Sequence, residues 1–194
     1  MTDAMKADLQ RYLQAGRDAM LWKLDGLSDY DIRRPMTPTG TNLLGLVKHL
    51  TAVELGYFGW TFDRPFDGRV PWAEDDAELN SDMWAGPDES TEYIVGLYTQ
   101  IWAHSDSTIA ELPLDAPGRV PHWPRDRATV TLHRIIVHVI ADMDRHAGHA
   151  DIVRELIDGS VGLSLDNDNM ASDDASYWSE YRGRVERAAR RFEA

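Results

Sequence analysis

The segment Val137–Leu156, VHVIADMDRHAGHADIVREL, has the periodicity of a helix, yet it carries three histidines and several carboxylates where a core helix carries leucine. Each residue of an α-helix advances by about 100°, so with His138 at zero, His149 falls near 20°, Asp142 near 40° and His146 near 80°. Residues three and four apart stack on one face, which places all four on a single stripe. Ile135, Val153 and Leu156 fall on the same stripe, which predicts that the polar cluster looks inward. Val137 and Ile140 lie on the back, so the helix is expected to be covered on both sides.

Outward from this helix the chain reads as a series of others. Leu9, Tyr12, Leu13, Met20 and Leu24 recur at helical spacing and predict a first helix from about Asp3, its expected cap, to Leu27. SDYDIRRPMTPTGTN reads as loop, and Thr41 or Asn42 is expected to cap a second helix ending near Trp60. Asp63–Asp88 is acidic and aperiodic, a long loop of the kind that is functional or mobile, with Trp72 and Trp84 as its anchors. A third helix spans about Ser90–Leu112. After a proline-rich connection, Thr129 or Thr131 starts the fourth, which stops at Gly159; a last helix covers about Ala175–Phe192. Strand signals are scarce. The expectation is an all-α fold: an antiparallel four-helix bundle over residues 1–160 with a site built from facing helices, then a connection and a C-terminal helix over 161–194 that packs on the bundle or on a dimer partner.

Composition narrows the function. Of 194 residues, 33 are acidic and 20 basic, a net charge of −13 that repels phosphate backbones and argues against a nucleic-acid partner. Arg182, Arg184, Arg187, Arg190 and Arg191 oppose the negative end of the last helix dipole, and Tyr177, Trp178, Tyr181 and Phe192 are placed to dock that helix. The absence of cysteine excludes a disulfide framework, a thiolate zinc site and a protein thiol nucleophile. No stretch approaches the roughly 20 apolar residues of a membrane span, and the start lacks a basic, then apolar leader, so the chain reads as cytoplasmic.

The second helix carries the same anomaly once. His49 shares a face with Leu46, Leu50, Val53 and Tyr57. Burying imidazoles and a carboxylate without partners costs roughly 1–3 kcal/mol for each unsatisfied group, and a divalent metal would satisfy them together. Ligands from two helices with room left over describe an open, catalytic type of site. Imidazole and carboxylate donors suit Zn²⁺, with Ni²⁺ or Fe²⁺ as alternatives. Asp142 and His146, four apart, form one natural chelate; His146 with His149, three apart, is the competing pair.

TPTGTNLLGLVKHLTAVELGYF followed much later by RHAGHADIVREL resembles the DinB superfamily, in its actinobacterial branch of unassigned function. The resemblance runs from about Leu9 to Gly159. It implies an up-down-down-up four-helix bundle, commonly dimeric, with a divalent metal at one end of the core. It makes His49 and His146 ligands and puts Asp142 where the superfamily has histidine or, in this branch, glutamate. His138 and His149 then orient ligands or line the pocket.

Other residues have competing readings. Glu54 is placed to accept a hydrogen bond from a ligand imidazole or to pair with Arg145 or Lys48. Arg145 borders the histidine stripe, as a substrate-carboxylate binder or a structural ion pair. Trp123 is a pocket wall or simple loop packing, while His104, His122 and His133 are expected to be solvated or locally hydrogen-bonded. Catalytic groups beyond the metal are not assigned. The resemblance implies a metal-dependent transferase that uses a low-molecular-weight thiol, mycothiol or bacillithiol, against small electrophiles. A hydrolase using metal-bound water and a non-catalytic metal-binding stress protein are the alternatives.

Overall fold

The computed structural model describes residues 2–193. Its described residues form six α-helices: α1 (Thr2–Trp22), α2 (Asp29–Arg33), α3 (Leu43–Glu54), α4 (Thr91–Glu111), α5 (Leu132–Asp158) and α6 (Ala175–Ala189). The caps expected of Asn42 and Thr131 are present, and Ser90 adds a third. Their side chains accept from the backbone N–H of Gly45, Arg134 and Tyr93 respectively, satisfying donors that the first helical turn leaves free. Gly159 ends α5 at φ 82°, in the left-handed region that glycine enters without steric cost. α1 begins at Thr2, so Asp3 lies within the helix and not ahead of it as its cap.

The four long helices make a ring of contacts: α1 against α5, α5 against α3, α3 against α4, and α4 against α1. Leu13, Met20, Leu46, Leu50, Tyr98, Ile101, Ile136, Val139 and Met143 fill the space between them with no exposed surface beyond 1%. Apolar burial on this scale is the main favourable term in folding.

Several expectations needed correction. α1 stops at Trp22, not Leu27, because the Arg154 guanidinium from α5 holds the Lys23 and Asp25 carbonyls at 3.0 and 2.8 Å. Tyr12 faces solvent rather than the core. The stretch read wholly as loop contains α2, which Ser28 caps and Ile32 anchors in the core. The second helix runs close to its expected end only by changing form: a π-helical turn (Leu55–Gly59), then a 3₁₀ turn (Trp60–Phe62). The proline-rich connection forms a small antiparallel hairpin, β1 (Pro117–Arg119) with β2 (Thr129–Thr131), whose Val130 is buried.

The most consequential correction concerns which face of α5 is inside. Its buried residues are Leu132, Ile135, Ile136, Val139, Met143, Ala150, Val153 and Arg154, centred about 110° round the helix from His138. The polar stripe therefore lies along the flank of the buried face. His146 is its innermost member, His149 is exposed, and Leu156 is 65% exposed.

Candidate metal centre

Two helices supply the candidate site. α3 is fixed end-on by its Asn42 cap and along its length by buried Leu46, Val47 and Leu50, so His49 emerges at the edge of the core facing α5. From α5 come Asp142 and His146, one turn apart, with Oδ1 of the first 3.8 Å from Nε2 of the second. The His49 and His146 rings stand edge to face, 4.8 Å between centroids. One ligand atom from each of His49, Asp142 and His146 lies within 4.8 Å of the others.

This set fits a divalent ion. Donors arranged tetrahedrally about Zn²⁺ stand about 3.4 Å apart, so side-chain rotations on the order of 1 Å would bring these together. His146 Nδ1 is buried and has no hydrogen-bond partner. Burial, reinforced by the neighbouring His49, holds the His146 imidazole below its ordinary pKa, which keeps it neutral and available as a ligand. His49 Nδ1 is already engaged, 2.6 Å from Asp82 Oδ2, which leaves Nε2 as its free nitrogen.

The other expected residues are distributed as follows. His138 sits one turn before Asp142, with Nε2 3.0 Å from the Tyr57 hydroxyl, which also accepts from Trp123 Nε1 at 3.2 Å. The Trp123 ring meets the His138 ring edge to face at 5.0 Å. Burial lowers the His138 pKa and raises that of Tyr57. The His149 ring stands 5.6 Å from that of His146, on the solvent side. Arg145 is exposed and forms no ion pair among the described residues. His104 is locally bonded, Nε2 donating to Arg64 O at 3.0 Å.

Glu54 is corrected on both expectations: it touches neither a ligand imidazole nor Arg145 nor Lys48. Both of its oxygens accept from Arg17 of α1, at 2.9 and 2.6 Å, with the pair wholly buried. Burial works against the Arg17 charge, but Glu54 and Asp106 outweigh it and hold the guanidinium above its ordinary pKa. This ion pair ties α1 to α3 and leaves the candidate centre alone. Lys48 instead bonds Glu89 and the Trp84 carbonyl.

Asp82 and Tyr57 were missed as site residues. Asp82 lies in an aperiodic acidic loop that gives no sign of its partner. Tyr57 was placed on the right face, but its presentation to His138 depends on the π-helical turn that contains it, a form that recurs at functional sites.

A mostly helical fold with two histidines and a carboxylate meeting at the α3–α5 contact defines a candidate metal-binding helical protein. A family model described as mycothiol-S-transferase matches residues 8–159. The chain belongs to that family, within the DinB-like superfamily, and the membership supports a mycothiol-dependent S-transferase function. A search of curated proteins finds no match. No helix of the described residues is long and apolar enough to cross a membrane.

Proposed function

We propose that the chain is a metal-dependent enzyme that joins a low-molecular-weight thiol, mycothiol, through its sulfur to small electrophiles in the cytoplasm, the S–H bond giving way to the new bond from sulfur. The observation that carries the metal requirement is the convergence of His49, Asp142 and His146 within one donor set. Zn²⁺ suits these donors best, with Ni²⁺ or Fe²⁺ as alternatives. When bound there, a divalent ion would supply the positive charge that favours thiolate over thiol near neutral pH. A chain without cysteine has no nucleophilic sulfur of its own, so the sulfur arrives with the co-substrate.

The protein's own groups then have definite tasks. His49, Asp142 and His146 would hold the ion. His138, kept neutral by burial and fixed by Tyr57, accepts the thiol proton. Trp123 closes the side of the site against water. The scaffold is the DinB-like up-down-down-up bundle over 1–160, a reading supported by the ring of contacts among α1, α5, α3 and α4. The chain pairs with a second copy, and residues 161–194 pack there; the support is that α6 buries no residue while exposing Tyr177, Tyr181 and Val185.

The test is thiol transfer by metal-restored protein against a panel of small electrophiles. Turnover that requires mycothiol and disappears in His146→Ala supports the proposal. Turnover of a substrate without any thiol contradicts it and assigns hydrolysis by bound water.

A further inference from the structure

The geometry points to Asp82 as a positioning residue for the metal centre, a carboxylate that sets which nitrogen of His49 faces the ion. This rests on the metal reading above. A neutral imidazole carries its proton on one nitrogen and a lone pair on the other. Asp82 Oδ2 stands 2.6 Å from His49 Nδ1, and an ionised carboxylate only accepts, so the proton belongs on Nδ1. The lone pair is then on Nε2. A carboxylate on the far nitrogen of a ligand histidine fixes the tautomer and ring orientation and raises the ring's basicity.

Asp82 can do this because the loop around it is fastened to the helix that carries His49. It belongs to the 3₁₀ turn Ser81–Met83, which lies across α3. The Met83 carbonyl accepts from Asn42 Nδ2 at 3.1 Å. A Cβ at Gly45 would collide with that same carbonyl, so the turn sits against bare helix backbone. The next carbonyl, Trp84, accepts from Lys48 Nζ at 2.9 Å, and the same ammonium reaches Glu89 Oε2 at 2.7 Å. Trp72 Nε1 donates back to Lys48 O at 2.9 Å. Contacts on the residues following Asp82 thus refer its carboxylate to the α3 backbone. The seating of the acidic loop and the affinity of the ion become linked quantities.

Zn²⁺ affinity, measured by competition with a chromogenic chelator, tests this together with nitrogen NMR of the metal-free His49 ring. Asp82→Asn preserves the shape of the loop and is expected to weaken Zn²⁺ by about 10–100-fold while reducing the Nδ1–H tautomer. Gly45→Ala lifts the turn without touching the ring; it should weaken Zn²⁺ in the same way, with no further loss when combined with Asp82→Asn. Unchanged affinity and tautomer in Asp82→Asn, where His49→Ala has lost the metal, would overturn the positioning role alone. A loss in Asp82→Asn as complete as in His49→Ala would also overturn it, making Asp82 a ligand. Undiminished metal in His49→Ala would overturn the metal reading and this role with it.

Discussion

The imidazoles of His49 and His146 meet edge to face, 63° between their planes, at the contact of two helices far apart in the chain. Two imidazole rings at this spacing beside Asp142 stabilise little by themselves, whereas one shared ion would engage all three. Asp142 is the member whose reach is in question, since its carboxylate has one methylene less than glutamate. Asp142→Ala is expected to lose Zn²⁺ almost as completely as a histidine variant, and Asp142→Glu to retain it; calorimetric titration with Zn²⁺ checks both.

Acid should destabilise the metal-free protein through the same residues. Burial depresses His138 and His146 in the folded state, so the unfolded chain takes up protons first as pH falls. Their contribution is present above the unfolded value of about 6.5 and is lost as pH falls from there through the lower folded values. Melting of chelator-treated protein should therefore drop between pH 8 and pH 5, and drop less steeply when His146 is replaced by glutamine.

The Arg17–Glu54 pair makes a prediction about stability without function. Removing one partner strands a buried charge, and Arg17→Met is expected to cost about 3–5 kcal/mol in denaturant unfolding. Replacing both with apolar residues of similar volume should restore most of that loss. Metal affinity per folded molecule should not change, because neither residue touches the centre.

α6 gives the opposite case. It buries no residue, so a chain ended at Leu165 should melt within a few degrees of the full one, each kcal/mol shifting a domain of this size by about 2–4 °C. Phe192, 89% exposed, and the aromatic face before it are expected to be needed for pairing of copies. Sedimentation should report the shortened chain as monomeric.

The helices were legible because their signals are local: capping residues such as Asn42 and Thr131, a stop at Gly159, and apolar spacing between. His49, Asp142 and His146 stood out for the same reason, as polar residues beside apolar ones at helical intervals. The inner face of α5 differs from the expected stripe by about a fifth of a turn because apolar residues run round both sides. Leu132, Ile136, Val139, Met143 and Ala150 form a continuous stripe that would have located it. Glu54 could not be paired from sequence, since Arg17 lies on a different helix and nothing local links them. Asp82 was hidden more deeply, in a loop whose seating depends on the space above Gly45.

Metal content tests the central claim most directly. Elemental analysis of untagged protein, loaded with Zn²⁺ and freed of excess, should give close to one ion per chain in the wild type and none retained in either His49→Ala or His146→Ala. Equal metal in all three would contradict a shared ion at the α3–α5 contact.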